Sequence, residues 1–270
     1  MTRFHPTTGQ TRAVDVERYL DRIGYTGPRE PTHAVLRSLQ LTHVRTVPFE
    51  NLDVFARTGV RVGRDWSIPK IVDRHRGGWC FELNGAFSAL LDALGFAITL
   101  HSGQVDTGGG VLGPALDHLV LVVALDGRRF LVDVGFGDSA LAPLDLAVTD
   151  PQDGIAARYR LAPVVDDVGG PEAVEMFEEQ ANEAWVRQLR VDLTPRQLAD
   201  FEPRSTYLQT KPGLSWTTKR FATRATDDGR VWLFADRLKH RFDGGPATET
   251  PVAPQDWDAA LWEHFAIRLT

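Results

Sequence analysis

A single cysteine, Cys80, follows two glycines in the segment 76–80, and apolar residues at helical spacing begin directly after it. Glycines let the backbone approach a ligand closely, and the start of a helix presents free N–H groups and a positive dipole end. Both features favour a thiolate and could hold a developing oxyanion. The pattern therefore predicts a nucleophilic cysteine, with a buried structural cysteine as the alternative that residue type alone favours.

A nucleophilic cysteine needs a base, and the base needs a group that orients it. An Asp-Gly dipeptide at 126–127 predicts a two-residue hairpin turn between two apolar runs. In that register His118 lies opposite Gly135, and Asp133 is its diagonal neighbour on the same face, about 7–8 Å away between backbones. The sequence thus predicts a His118–Asp133 pair, unless a three-residue turn shifts the register by one.

The remaining histidines give one rival base and no metal site. His75 adjoins the glycine turn but precedes Cys80 by only five residues on the same segment. None of the histidines falls into an H-x-H or HExxH spacing, and a lone cysteine excludes an internal disulfide and a cysteine-based zinc site. The chemistry predicted for Cys80 is therefore that of an isolated nucleophile.

The elements that must position these residues change in character along the chain. Before residue 95 the spacing of apolar residues predicts helices, at 14–23, 32–43, 68–76 and 81–94. After Gly95 the pattern predicts strands at 96–105, 118–125, 128–134, 158–162 and 173–179. A short helix at 194–201, a hairpin from 217–226 and 230–235, and a closing amphipathic helix at 255–267 complete the expectation. The nucleophile thus lies on a helix, and its partners lie on a hairpin.

Composition limits the kind of partner. The chain has 270 residues, a net charge of -6 and a pI near 5.8, which argue against a nucleic-acid or membrane-surface partner bound by a general basic field. No stretch approaches the roughly 20 apolar residues of a bilayer span, and residues 1–14 do not read as a signal peptide. A cytoplasmic location is the expectation. The sequence does not determine the oligomeric state, and a homodimer is among the states considered.

Five segments together resemble one known family, the arylamine N-acetyltransferases. The nucleophile segment 76–84 is similar to the family's cysteine motif, 117–121 to its histidine strand and 132–137 to its aspartate strand. Segments 47–53 and 207–212 resemble the family's N-terminal signature and a stretch that contacts coenzyme A. The order is the same as in the family. Departures are Asp117, where some relatives have a threonine, and Gly213-Leu214, which leave no hydroxyl before Ser215.

The resemblance implies an α+β fold with three parts. A helical domain at 1–95 would carry the nucleophile, a β-barrel domain at 96–205 would carry His118 and Asp133, and an α/β lid domain would occupy 206–270. The catalytic core would be like that of transglutaminases and cysteine proteases. Glu50 and Arg76 would form a structural ion pair near the site.

The resemblance also implies roles for individual residues. Cys80 would carry the acyl group, His118 would act as base, and Asp133 would orient it. Further contacts would come from two sets, with acceptor contacts from Trp79, Phe136 and Gly137, and coenzyme A contacts from Gly135, Tyr207 and Ser215.

The implied reaction is a two-step transfer of acetyl from acetyl-coenzyme A, through Cys80, to an arylamine, arylhydrazine or N-hydroxyarylamine. Coenzyme A would be a co-substrate, and no metal would take part. Three alternatives remain: an amide synthase of the same family that releases or cyclises a polyketide acyl chain, a cysteine protease or transglutaminase, and a non-catalytic protein that binds an aromatic ligand.

Overall fold

A computed structural model describes residues 14–138, 140–164, 172–243 and 245–269. Its first part is helical, with the helices α1 (Val16–Ile23), α2 (His33–Thr46), α3 (Leu52–Phe55), α4 (Arg64–Ile68) and α5 (Cys80–Ala93). The two-residue strand β1 (Phe49–Glu50) precedes α3. A π-helical turn over Pro69–Asp73 follows α4, so the helix predicted at 68–76 is wrong beyond residue 73.

The helix α5 is the centre of this part. It begins at Cys80, and all residues from Cys80 to Leu91 are buried. A helix that is apolar around its whole circumference is one enclosed by other elements. Side chains of α1, α2 and β3 share one core with it. Cys80 is therefore fixed at the end of a rigid element rather than on a mobile loop.

Eight antiparallel strands form a nearly closed barrel. Their order in the sheet is β5-β4-β3-β2-β9-β8-β7-β6. The strands are β2 (Ala97–Val105), β3 (His118–Leu125), β4 (Arg128–Val132), β5 (Leu144–Asp145), β6 (Gln152–Asp153), β7 (Arg158–Val164), β8 (Ala173–Glu179) and β9 (Trp185–Arg196). The predicted strands among them are confirmed. The sequence analysis missed β9, and the helix predicted at 194–201 is wrong up to Arg196.

The β3–β4 hairpin has the register that the sequence predicts. Leu121 pairs with Val132, and Leu125 pairs with Arg128 across the turn. The turn residues at 126–127 both have positive φ, as a two-residue hairpin of this twist requires. Odd residues of β3 pack on the helical core and even residues pack inside the barrel, so β3 is buried on both faces. The pairing stops before His118 and Asp133, which leaves their side chains at the open end of the hairpin.

The last part is a five-stranded antiparallel sheet with helices. A short 3-10 helix (Leu198–Phe201) leads into α6 (Glu202–Thr210) and α7 (Ser215–Thr218), which the sequence analysis had not predicted. The strands are β10 (Ala222–Ala225), β11 (Gly229–Leu233), β12 (Arg237–Phe242) and β13 (Ala247–Pro251). The strand predicted at 217–226 is wrong before residue 222. The closing helix α8 (Trp257–Phe265) buries Trp257, Leu261 and Phe265, as predicted.

The three parts are joined by contacts that cross the predicted boundaries. Strand β1, from the helical part, pairs with β10 and thereby enters the last sheet. The predicted division at residues 95 and 205 stays a prediction, and its second boundary falls inside α6. Within the described part of the chain, no helix is both long enough and apolar enough to cross a membrane.

Candidate active site

Cys80 lies where α5 meets the open end of the β3–β4 hairpin. The loop after β4 approaches it closely, because an added Cβ at Gly135 would lie 2.8 Å from the Cys80 Cα atom. Real Cβ atoms do not come so near, so a residue with any side chain at 135 would force the two elements apart. Glycine at 135 is what allows the hairpin to bring its polar residues to the cysteine.

His118 and Asp133 form a buried pair beside Cys80. The Nε2 atom of His118 donates a hydrogen bond of 2.6 Å to Oδ2 of Asp133, and both side chains are almost completely buried. This contact leaves Nδ1 as the ring nitrogen available to the thiol of Cys80, which is one of the groups that raise the pKa of His118. The predicted contact between His118 and Asp133 is confirmed. The three side chains are brought together from two separate stretches of chain.

The environment of His118 favours its protonated form. Burial alone lowers the pKa of the ring, but the charge and hydrogen bond of Asp133, together with Cys80, outweigh burial and raise the pKa to about 10. An opposite charge in hydrogen-bonding contact stabilises the cation more than a low-dielectric site destabilises it. At neutral pH the ring is therefore an imidazolium held by a carboxylate.

Asn84 fixes the position of Asp133, and the sequence analysis assigned it no role. Its Nδ2 atom donates to Oδ1 of Asp133 at 2.8 Å and to the carbonyl of Leu119 at 2.6 Å. Its Oδ1 atom accepts the N–H of Val134 at 3.0 Å. The spacing offered a signal, since a residue four positions after Cys80 lies on the same side of the helix. Asn84 thus ties α5 to both strands of the hairpin.

Gly135 and Gly103 also help to position Asp133 and His118. The Oδ1 atom of Asp133 also accepts the N–H of Gly135 at 2.8 Å, which closes a tight turn at the strand end. On β2, an added Cβ at Gly103 would lie 3.2 Å from the Cβ atom of His118 and 2.8 Å from Leu189, so glycine there leaves room for the imidazole ring. These contacts therefore fix the positions of both the His118 imidazole and the Asp133 carboxylate.

A buried ionic cluster, comprising Glu50, Asp53, Lys70, Arg76 and Glu82, lies under the start of α5. The Nζ atom of Lys70 contacts both oxygens of Glu82, at 2.9 and 3.1 Å, and Asp53 at 2.8 Å. Arg76 binds Glu50 at 2.7 Å and Asp53 at 3.0 Å. The ion pair expected between Glu50 and Arg76 is present as one contact of a larger network. The sequence analysis gave no role to Lys70 or Glu82.

His75, the rival base that the sequence left open, lies away from the triad. It is exposed, has a φ of 52°, and lines a surface cavity with Arg74 and Trp262 instead of meeting Cys80. Arg22 fixes this turn through hydrogen bonds to the carbonyls of residues 71, 75 and 76. The turn therefore supports the segment before Cys80 and keeps its imidazole away from the thiol.

The predicted acceptor contacts lie around the triad, with different exposure. The ring of Phe136 meets the ring of His118 edge-on at 5.2 Å. Trp79 is 1% exposed and packs against Phe81 and Trp216. A cavity of about 20 Å³, the space of a single water, lies beside Phe136 and Gly137, but neither Cys80 nor His118 lines it. The acceptor roles of Trp79, Phe136 and Gly137 stay predictions.

The predicted coenzyme A contacts flank the same end of the barrel. Tyr207 is 43% exposed on α6, with the guanidinium of Arg204 over its ring at 4.7 Å. Arg204 also binds Asp117, the residue before His118, at 2.7 Å. Ser215 is exposed at the first position of α7, next to Trp216. Arg204 thus links Tyr207 to the residue before His118, and Trp216 packs on Trp79, the residue before Cys80. The roles of Tyr207 and Ser215 in binding stay predictions.

No metal site is evident in the described parts of the chain. No group of three or more histidine, cysteine or acidic residues there is arranged to hold an ion. A cysteine, an imidazole and a carboxylate in a buried row define a class of enzymes that form a thioester or related bond on sulfur.

Comparison with known proteins indicates which family of this enzyme class the chain resembles. A family model described as N-acetyltransferase matches residues 32–270. Arylamine N-acetyltransferase 1 of Homo sapiens is 32% identical over 84% of the chain and 83% of its own length. Arylamine N-acetyltransferase of Mycolicibacterium smegmatis is 35% identical over 95% of the chain and 93% of its own length.

Solved structures agree with the sequence matches. The arylamine N-acetyltransferase of Nocardia farcinica superimposes with a TM-score of 0.87 at 33% identity, over 95% of the chain and 90% of its own. The Mycobacterium marinum enzyme in complex with CoA gives 0.82 at 30% identity, over 94% and 93%. The chain belongs to the arylamine N-acetyltransferase family. Its activity is acetyl-coenzyme A-dependent acetyl transfer to arylamines, as the sequence analysis predicts.

Proposed function

We propose that Cys80 is the acetyl carrier, that His118 is the general acid and base, and that Asp133 orients and charges the imidazole. The observation that supports this most directly is the buried hydrogen bond between Nε2 of His118 and the Asp133 carboxylate, at the point where Gly135 approaches the Cys80 backbone. The Asp133 carboxylate holds the protonated ring on one side, and we place the reactive negative charge on the sulfur of Cys80. The resting site would then be a thiolate–imidazolium pair.

In the first half-reaction the thiolate attacks the thioester carbonyl of acetyl-coenzyme A. The first N–H groups of α5, which helix geometry leaves without intrahelical acceptors, would face the developing oxyanion. The tetrahedral adduct collapses as the carbon–sulfur bond to coenzyme A breaks. The His118 imidazolium gives its proton to the leaving thiolate, so coenzyme A departs as a thiol and His118 is left neutral. Cys80 now carries the acetyl group as a thioester.

In the second half-reaction the nitrogen of an arylamine attacks the carbonyl carbon of the Cys80 thioester. Neutral His118 removes the proton that the amine nitrogen must lose, and the second adduct collapses to the amide and the Cys80 thiolate. The thiolate–imidazolium pair is thereby restored. Exchange of one thioester for another is nearly balanced in energy, whereas formation of the amide is downhill. This asymmetry suits a carrier that is loaded reversibly and emptied irreversibly.

Intact mass spectrometry tests the carrier directly. After mixing with acetyl-coenzyme A, we expect one added acetyl group on the protein, which disappears when an arylamine is supplied. The Cys80→Ala variant is the matched control and should take up none. Acetylation of Cys80→Ala, or stable acetylation of the wild type in the presence of an arylamine, would contradict the mechanism.

The same assay separates the related amide synthase. A set of acyl-coenzyme A donors of increasing chain length, each tested with one arylamine, gives the preferred donor. We expect acetyl to be transferred fastest, as the names of the chain's N-acetyltransferase relatives indicate. A preference for long acyl chains would favour the synthase instead.

Acceptor class, location and assembly belong to the same proposal. We include arylhydrazines and N-hydroxyarylamines among the acceptors, because they present a nucleophilic nitrogen on the same flat ring. A cytoplasmic location agrees with a reactive thiol that must stay reduced. Whether the chain forms a homodimer is a prediction that light scattering of the purified enzyme would check.

A further inference from the structure

The buried ionic cluster under Cys80 is unusual in its composition and position. Three carboxylates, Glu50, Asp53 and Glu82, share two cations, Lys70 and Arg76. Lys70, Glu50 and Glu82 are each 1% exposed. Burial of five charges is costly, and such groups are seldom kept for stability alone. The position of the cluster, two residues from the nucleophile at Glu82, suggests what it does.

Glu82 connects the cluster to the backbone that carries Cys80. Its Oε2 atom accepts the N–H of Trp79 at 3.2 Å, directly before the cysteine, and its Oε1 atom accepts the indole N–H of Trp66 at 3.0 Å. An added Cβ at Gly78 would lie 2.6 Å from the Glu82 carboxylate, so the turn is closed around this side chain. The carboxylate thus shapes the turn from which α5 and its nucleophile begin.

The negative charge of Glu82 disfavours a thiolate at Cys80. An acidic residue in the first turn of a helix uses the positive end of the dipole, and its own charge opposes a second negative charge at the same end of the helix. The ammonium of Lys70 contacts both oxygens of Glu82 and neutralises the negative charge of this carboxylate. Burial raises the pKa of Glu82 in spite of Lys70, whereas Glu50, Glu82 and Asp53 together outweigh burial and raise the pKa of Lys70. The ammonium of Lys70 is thus a fixed charge, and Glu82 is a carboxylate whose protonated form is favoured by burial.

We propose that Lys70 and Glu82 are positioning residues for Cys80: Glu82 holds the turn before the nucleophile, and Lys70 neutralises the charge that Glu82 would otherwise place beneath the sulfur. This inference rests on the proposed role of Cys80. The charged groups that face the thiol and Glu82 are then His118 and Asp133 on the barrel side, and Lys70 with Glu50, Asp53 and Arg76 on the helical side. Lys70 is the group on the helical side that contacts Glu82 directly.

The test is the rate at which iodoacetamide alkylates Cys80, measured against pH. In Lys70→Met, Glu82 either keeps its charge and opposes the thiolate, or takes a proton and loses strength as an acceptor for Trp79. We expect alkylation at neutral pH to slow by about tenfold, and the midpoint of the pH profile to move upward by about one unit. The double variant Lys70→Met/Glu82→Gln keeps an acceptor and removes both charges, so it should recover to within about threefold of the wild type.

The matched control breaks another ion pair that contains a buried carboxylate. Arg128 binds Asp145, which is 4% exposed, at the closed end of the hairpin. Seven residues of β3 separate that end from His118, about 23 Å at 3.3 Å per residue. Arg128→Met should lower the melting temperature and leave the alkylation profile unchanged. Should Lys70→Met fail to fold, Lys70→Gln and Lys70→Gln/Glu82→Gln replace the pair.

Two outcomes would overturn the proposal. One is a folded Lys70 variant that alkylates with the wild-type rate and pH profile. The other is a double variant as slow as the single variant, which would indicate that Lys70 acts only through packing. Alkylation uses no acetyl-coenzyme A, so failure here is distinguishable from failure of the acetyl-carrier mechanism, which intact mass reports.

Discussion

Two charged assemblies meet at Cys80, and they are built in different ways. On the barrel side, His118 and Asp133 come from the two strands of one hairpin, fifteen residues apart in sequence. On the helical side, the five residues of the ionic cluster come from β1, α3, the π-helical turn, the glycine segment and α5. The first assembly prepares the chemistry of the sulfur, and the second holds the backbone from which the sulfur projects. A nucleophile on a rigid helix needs both.

Asp133→Asn should produce the largest loss and test whether the barrel side provides charge as well as position. The amide preserves the shape, but it removes the negative charge that raises the pKa of His118. We expect kcat for acetyl transfer to fall by about 1,000-fold or more with little change in KM. Steady-state kinetics with one arylamine would measure it. A loss below tenfold would mean that the negative charge of Asp133 is dispensable.

Gly135→Ala tests the close contact between the two sides. A Cβ atom 2.8 Å from the Cys80 Cα would move the hairpin away from α5, and displacement of about 1 Å can cost about 100-fold in rate. Gly85→Ala is the control, because its Cβ would meet only Leu198, at an ordinary 3.6 Å. That variant should retain activity and gain about 0.5–1 kcal/mol of unfolding free energy. Equal kinetics for the two variants would contradict the argument.

Asn84→Ala would sharpen the comparison, since Asn84 belongs to α5 but binds the hairpin. The change leaves the Val134 N–H and the Leu119 carbonyl without their partner. Unsatisfied buried groups should cost about 1–3 kcal/mol of unfolding free energy each. Because Asp133 keeps its bond to Gly135, we expect a smaller kinetic loss than for Asp133→Asn, about tenfold. Urea unfolding and kcat are the two measurements. A loss of activity without loss of stability would assign Asn84 a more direct role.

The raised pKa of His118 makes a prediction about stability and pH. Folded His118 keeps its proton up to about pH 10, whereas the unfolded residue releases it near pH 6.5. This stabilisation is therefore complete below about pH 6.5 and is lost as the pH rises through the folded value. In Cys80→Ala, which removes the thiol titration and the share of the raised pKa that comes from Cys80, unfolding free energy should still fall above about pH 6.5 by up to about 1.4 kcal/mol per pH unit. The added substitution Asp133→Asn should flatten the dependence, and an unchanged slope would refute the assignment.

The smallest effect is expected outside both assemblies. Tyr207→Ala removes an exposed ring that we predict to contact coenzyme A, so KM for acetyl-coenzyme A should rise about three- to tenfold with kcat nearly unchanged. Trp262, which is 47% exposed on α8, provides a control of similar exposure. Trp262→Ala should leave both constants unchanged. Equal effects of the two substitutions would remove Tyr207 from the predicted coenzyme A contacts.

The hairpin that carries His118 and Asp133 could be predicted from the sequence because the interactions that determine its register are local. The Asp126-Gly127 turn set the register of the β3–β4 hairpin, and the register predicted the contact between His118 and Asp133. Segments whose context decides their conformation were predicted less well. The residues at 194–196 extend β9 because the strand pairs with β2, and those at 215–218 form α7 beside Trp79 instead of a strand.

By itself, the sequence determined the nucleophile, the helix that begins at it, the hairpin register and the family. These depend on residue types and on spacings of a few positions, which are written directly in the chain. Only the tertiary structure decided that Lys70 neutralises Glu82, that Asn84 bonds to both hairpin strands, and that His75 lies away from the thiol. Those contacts join residues from separate elements, and burial gives them their strength, so neither their existence nor their energy can be read from spacing alone.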